Sequence, residues 1–254
     1  MAAHSPFSLE GRTALVTGAN TGIGQGIALA LAEAGARVVA AGRSSMAETQ
    51  KLIASAGGTC FPLQADLQHD GIAARVIEQA QALAGPLDIL VNNAGIIRRA
   101  DALDFSESDW DEVMNLNLKA NFFLAQAFAK AALAAGRSGR IVNIASLLSF
   151  QGGIRVASYT ASKSGLAGLT RLLACEWAAK GINVNAIAPG YVESNNTEAL
   201  RADPDRNAAI LARIPAGRWG RPSDIGGAAV FLASDAAAYI HGAILPVDGG
   251  WLAR

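Results

Sequence analysis

Seven short apolar runs, at 13–17, 37–41, 59–64, 88–92, 139–144, 183–188 and 244–247, alternate along the chain with alanine-rich stretches of helical character. The runs have strand length, and the stretches between them are long enough to cross back over a sheet. Parallel strands require such crossovers, so the alternation predicts an α/β fold on a doubly wound parallel sheet of about seven strands. With 254 residues, 51% of them hydrophobic, the chain suits a single domain spanning 1–254. One segment breaks the rhythm: 190–221 is polar, rich in Asn, Asp, Arg and Pro, and is read as a lid over a binding site. After it, Pro222-Ser-Asp224 restarts a helix, with proline in the first turn and an acid near the positive helix end.

The first run, Thr13-Ala-Leu-Val-Thr17, passes directly into Gly18-Ala-Asn-Thr-Gly22-Ile-Gly24, and Ile27, Leu29 and Leu31 continue as a helix. Glycine has no Cβ to hold a ligand off, and a helix N-terminus carries free N–H groups and partial positive charge. A glycine turn at such a junction therefore suits a pyrophosphate. Three close glycines also occur in plain loops; the position at the first βα junction is what gives the pattern weight.

A second pattern carries proton chemistry. Tyr159 and Lys163 are four residues apart, which puts them on one helix face, and Ser146 follows an apolar strand-like run thirteen positions upstream. An ammonium beside a phenol favours the phenolate, so Lys163 is expected to lower the Tyr159 pKa and make it a general acid or base near neutrality.

Other classes find no support. Basic and acidic side chains number 21 each, so nothing points to nucleic acid or an anionic membrane. The first residues, Met1 to Glu10, lack a basic start and apolar core, and no apolar run approaches membrane-spanning length, which predicts a cytoplasmic protein. Cys60 and Cys175 are isolated and His4, His69 and His241 scattered, so no metal is assigned.

Thr17-Gly18-x3-Gly22-x-Gly24, Asn92-Asn93-Ala94-Gly95, Asn117, Ser146, Tyr159-x3-Lys163 and Pro189-Gly190 stand in the order and at the spacings of the short-chain dehydrogenase/reductase family, which the chain resembles over essentially its whole length. The resemblance implies a Rossmann-like sheet in the order 3-2-1-4-5-6-7, the last placement resting on it, and hydride transfer with a nicotinamide cofactor. Gly18, Gly22 and Gly24, with Asn20, Thr21 and Ile23, would lie at the phosphates, and Asp66 and Leu67 at the adenine. Asn92, Ala94 and Gly95 would flank the adenosine ribose. Pro189, Gly190, Val192 and Ser194 would meet the nicotinamide, Ser194 standing where threonine is commoner. Asp66 has a plainer alternative as a helix cap. Tyr159 would exchange a proton with the substrate oxygen, Ser146 polarise that oxygen, Lys163 tune Tyr159 and hold the nicotinamide ribose, and Asn117 hold a water linking Lys163 to solvent. The plainer alternative for Asn117 is a helix residue bonding backbone.

The cofactor is written NAD(P). The second strand ends Gly42-Arg43, so glycine replaces the acid that would bind a ribose 2′-OH, and a cation follows that can pair with a 2′-phosphate; this leans to NADP. The relatives it resembles are mostly NAD-linked. Asn93 to Arg99, Ser149 to Arg155, Asn195 to Thr197, Ile214 to Gly220 and Val247 to Arg254 resemble the family's sugar-acid branch, which implies a small-molecule substrate of 2-deoxygluconate or 2-keto-3-deoxygluconate type. Guanidinium and amide groups suit such an acid, and the substrate set is Arg99, Ser146, Gln151, Arg155, Tyr159 and Asn196, with Arg98, Asn195 and Thr197 nearby. A 3-ketoacyl-carrier-protein reductase and a non-catalytic cofactor-binding regulator are the alternatives. The apolar run Ala243-Ile-Leu-Pro-Val247 and the tail Gly249 to Arg254 resemble the family's subunit contact and imply a homotetramer.

Overall fold

The computed structural model describes residues 5–69 and 71–254, so His4 and the first residues of the leader reading lie outside it. Every apolar run forms a strand: β1 (Thr13–Thr17), β2 (Arg37–Gly42), β3 (Cys60–Gln64), β4 (Ile89–Asn92), β5 (Gly139–Ile144), β6 (Ile182–Pro189) and β7 (Ile244–Val247). They pair in parallel in the order β3-β2-β1-β4-β5-β6-β7, as expected from the sequence. The crossovers are α1 (Gly22–Glu33), α2 (Ala47–Ser55), α3 (Ile72–Ala84), α4 (Glu107–Met114), α5 (Asn121–Ala134), α6 (Ala157–Trp177), α7 (Glu198–Ala202), α8 (Pro204–Arg213) and α9 (Pro222–Ala233).

Alternation along the strands builds a core on each face of the sheet. From β1, Ala14 and Val16 join Ile27 and Leu31 of α1 and Ile225 and Leu232 of α9. Leu15 joins Val76 and Ile77 of α3, Leu124 and Phe128 of α5 and Leu173 of α6 on the other face. The inner strands are buried on both sides, which explains why they read as unbroken apolar runs. The chain winds one way from β1 to β3 and the other way from β4 to β7. The C-terminal ends of β1 and β4 therefore border the crevice where doubly wound sheets take ligands.

Two segments hold more structure than their composition discloses. The polar stretch 190–221 contains α7 and α8 over a small apolar cluster of Leu147, Ile210, Ile214, Trp219 and Trp251. Trp251, read as part of a subunit contact, is only 4% exposed, because it turns back into its own chain against Tyr191. Among the described residues, no helix is long and apolar enough to cross a membrane, and no group of three His, Cys, Asp or Glu side chains could hold a metal ion.

Candidate active site

The turn after β1 is clamped to the loop after β4. Thr17 Oγ1 accepts from the backbone N–H groups of Asn93 and Ala94 at 3.0 and 3.1 Å, and Asn93 Nδ2 donates to the carbonyls of Thr17 and Gly18 at 2.9 and 3.1 Å. The contact leaves no room for side chains. Gly18 has φ +63°, with Asn93 Nδ2 2.9 Å from where its Cβ would stand, and a Cβ at Gly24 would stand 2.2 Å from the Gly18 carbonyl oxygen. Thr21, the N-cap of α1, is extended and makes no side-chain cap bond, so its side chain does not cap the first-turn N–H donors.

A cleft of about 460 Å³ opens over this turn, lined by Gly18, Asn20, Thr21, Gly22, Ile23, Gly24, Arg43, Ala94, Gly95, Ser146, Tyr159, Lys163, Pro189, Gly190, Val192, Ser194 and Asn196. Asp66 and Leu67 line an adjoining pocket of about 180 Å³ with Gly42 and Arg43. Asp66 Oδ1 accepts from Gln68 N at 3.0 Å, a local turn rather than a cap on α3, whose N-cap is Gly71. Arg43 is exposed on the rim and forms no ion pair among the described residues. A larger groove of about 660 Å³, between α3 and α5, contains none of the proton-handling residues.

Asn92 is the correction to the cofactor set. It is fully buried at the end of β4, where Nδ2 donates to Asn143 Oδ1 at 2.9 Å and Asn121 O at 3.2 Å; its side chain faces the protein interior, away from the cleft. The neighbouring Asn93 and Ser44 line the cleft and were not singled out from the sequence. Both lie beside residues that were, and strand alternation alone would have put Asn92 and Asn93 on opposite faces.

Strand β5 carries Ser146 two residues beyond its end, and α6 carries Tyr159 and Lys163 to meet it. Ser146 Oγ accepts from Leu148 N at 3.2 Å, and Ser146 and Tyr159 line the same cleft. Lys163 Nζ donates to the Ile144 carbonyl at 2.6 Å and lies 5.6 Å from the Tyr159 ring centroid. Burial lowers the Lys163 pKa to about 8. The Tyr159 pKa runs against expectation. Desolvation of the phenol raises it, and the Ser146 hydroxyl and the Arg99 charge pull the other way, while Lys163 directs its ammonium to strand backbone.

Asn117 sits, fully buried, in a π-turn (115–120) between α4 and α5, a break often found at functional sites. Its Oδ1 accepts from Ile96 N and its Nδ2 donates to Ile96 O, both at 2.9 Å. The side chain thus ties the π-turn to the loop after β4.

The substrate set divides. Arg99 reaches across the cleft mouth to donate to Asn196 O at 2.9 Å, and its charge acts on Tyr159. Arg155 instead pairs with Asp101 at 3.2 Å, with 60% of its side chain exposed, and does not line the cleft. Its backbone takes φ 62° in the turn before α6. Arg98 forms a two-pronged bond to Glu112, with Nε and NH2 each at 2.9 Å. Gln151 Oε1 accepts from Trp251 Nε1 at 3.3 Å, and Gln151, on the loop between Ser146 and Tyr159, does not itself line the cleft.

Sheet order, glycine turn and the Ser146, Tyr159 and Lys163 cluster define a class of dinucleotide-dependent oxidoreductase, and comparison with known proteins agrees. A family profile described as "Enoyl-(Acyl carrier protein) reductase" matches residues 18–252, and the chain belongs to the short-chain dehydrogenase/reductase family. Within it, the chain is 60% identical to the 2-dehydro-3-deoxy-D-gluconate 5-dehydrogenase of Escherichia coli (strain K12) over 98% of this chain and 99% of that one. It is also similar to a crystal structure from Agrobacterium tumefaciens with bound NADP, a candidate 2-deoxy-D-gluconate 3-dehydrogenase, at 68% identity and TM-score 0.93 over 98% of this chain and 100% of that one. A gluconate 5-dehydrogenase from Burkholderia cenocepacia in complex with NADP and tartrate matches at 38% identity and TM-score 0.92, covering 98% of each chain.

Proposed function

We propose that the protein transfers a hydride between NADP(H) and a sugar acid of the 2-deoxygluconate or 2-keto-3-deoxygluconate type, with Tyr159 as the general acid and base. The observation that carries the proposal is that Ser146, Tyr159 and Lys163 line the same cleft that the glycine turn opens into. A nicotinamide cofactor, when bound, supplies or accepts the hydride. The residues present fit such a group: an open glycine cradle, a helix start without a side-chain cap, and an unpaired cation, Arg43, beside Gly42 where a 2′-phosphate would lie. The NADP bound in two similar structures supports the same choice.

In the reducing direction Tyr159 donates its proton to the substrate oxygen, and Ser146 donates a hydrogen bond to the same atom. A phenol kept protonated by burial is suited to this step. In the oxidising direction Tyr159 takes the alcohol proton, and the positive charge of Arg99 favours the phenolate that this needs. Arg99 and Asn196 meet at the cleft mouth, where a guanidinium can receive a carboxylate as the segment 190–221 closes as a lid. Lys163, deep in the cleft, is placed to hold a ribose hydroxyl, and Asn117 fixes the loop after β4 through Ile96. The Escherichia coli and Burkholderia cenocepacia relatives, named for activity on sugar acids, support the substrate class.

The proposal extends to a cytoplasmic homotetramer. Edge strand β7 is only partly covered, and Phe123 and Leu133 on α5 and Leu172 on α6 are exposed apolar side chains that a second copy could bury. The test is a panel of keto and hydroxy sugar acids alongside 3-ketoacyl thioesters, run with both cofactors and followed at the reduced-nicotinamide absorbance. Turnover confined to the thioesters would support an acyl-carrier reductase instead, and absence of any turnover a non-catalytic binder.

A further inference from the structure

The C-terminal tail ties together three segments: Tyr191 after β6, the end of α8, and the loop between Ser146 and Tyr159. Asp248 starts the turn, accepting from Gly250 N at 2.8 Å and Leu252 N at 2.9 Å. Gly249 and Gly250 both have positive φ, and Cβ atoms there would stand 2.9 Å from Ile214 and 3.0 Å from Pro215, so the chain reverses tightly beneath the lid. This reversal delivers Trp251 to a junction. Its indole packs on Tyr191, which follows Pro189-Gly190, at 4.6 Å between ring centroids. The guanidinium of Arg213, the last residue of α8, lies 4.1 Å from its ring centroid. Its Nε1 donates to Gln151 Oε1, in the loop between Ser146 and Tyr159, at 3.3 Å.

We propose that Trp251 is a positioning residue for substrate selection: it orients the Gln151 amide and ties it to the lid, so that the tail acts as a strap across the substrate side. The inference rests on the sugar-acid reading above. An indole N–H can only donate, so the oxygen of Gln151 is the atom it holds, and the amide is fixed in one of its two orientations. Gln151 Nε2 has no protein partner among the described residues and is left as a donor. A fixed donor suits the oxygens of a carboxylate or hydroxyl; an amide free to turn over would present an acceptor half the time. Arg213 on one ring face and Tyr191 beside it carry the same orientation to the lid helix and to the nicotinamide end of the cleft.

Trp251→Phe keeps an aromatic ring and removes only the N–H. The sugar-acid KM is expected to rise roughly 2- to 12-fold, the range for one neutral hydrogen bond, with kcat and the NADPH dissociation constant within about twofold of wild type. Adding Trp251→Phe to Gln151→Ala should change KM no further, since the tryptophan acts through the amide. Independent effects of the two substitutions, a KM unchanged by Trp251→Phe, or equal loss of kcat and cofactor affinity would overturn the proposal. Backbone amide exchange in the cofactor-free protein is a second readout: Trp251→Phe should speed exchange in 150–156, and unchanged rates there would count against the strap. A wild type that turns over no sugar acid would remove the proposed substrate, while the exchange measurement would still decide whether Trp251 restrains Gln151.

Discussion

Lys163 aims its ammonium at the carbonyl oxygen of Ile144, 2.6 Å away, and stands 5.6 Å from the centroid of the Tyr159 ring. The lysine is thereby fixed to the sheet in the cleft, while the phenol, raised in pKa by burial, is pulled the other way by Ser146 and the charge of Arg99. Tyr159 tuning comes from Ser146 after β5 and Arg99 after β4, a division that the four-residue spacing of tyrosine and lysine does not disclose.

Burial gives Lys163 a signature in stability. Its pKa falls from 10.5 to about 8 in the folded protein, so below pH 8 both folded and unfolded chains carry the charge. Between about 8 and 10.5 the unfolded chain binds more protons, and linkage makes stability rise with pH across that window. Lys163→Met removes the titration. Wild type should therefore gain stability relative to the variant between those pH values, by on the order of 3 kcal/mol at most, in urea melts at matched ionic strength. A constant difference would mean that Lys163 titrates normally.

Arg43 gives a cofactor prediction. Arg43→Ala should weaken NADPH binding by about 1.5 to 3 kcal/mol, the range for a hydrogen bond to a charged group, and leave NADH nearly unchanged. Equal losses in fluorescence titrations with both cofactors would assign Arg43 to the fold or to the adenine.

The two predicted substrate arginines should now behave differently. Arg99→Ala removes both the bridge to Asn196 and the charge near Tyr159, so kcat/KM for the sugar acid should fall by on the order of tenfold or more. Arg155→Ala removes an exposed pair with Asp101, worth at most about 1 kcal/mol, and should leave kcat/KM nearly intact. The reverse ranking would show that Arg155 turns inward when substrate binds.

Strands were legible because each inner strand is an apolar run buried on both faces, as Thr13–Thr17 and Ile182–Pro189 are. The glycine turn was legible because tight backbone contact demands glycine whatever surrounds it, as at Gly18 and Gly24. What spacing withholds is the partner that each polar group chooses. Asn92 bonds Asn143, Asn117 bonds Ile96 and Arg155 bonds Asp101, and those choices depend on neighbours distant in sequence. The apolar cluster under 190–221 was hidden for the same reason, since Leu147 and Trp251 join it from far outside the segment.

Assembly is decided by light scattering after size-exclusion chromatography. A homotetramer should give about four times the 26.0 kDa of one chain. Because Trp251 is covered within its own chain, deleting the tail should disturb the lid cluster before it disturbs subunit contacts. A mass of one chain would refute the assembly.

The most direct test of the account is the turnover of Tyr159→Phe on the sugar acid that wild type prefers, measured beside its NADPH affinity. The substitution keeps the ring and removes the proton-bearing oxygen. Loss of kcat by ~10² fold or more, with cofactor affinity retained, is the predicted result. A kcat near that of wild type would contradict the assignment of Tyr159 as the group that moves the proton.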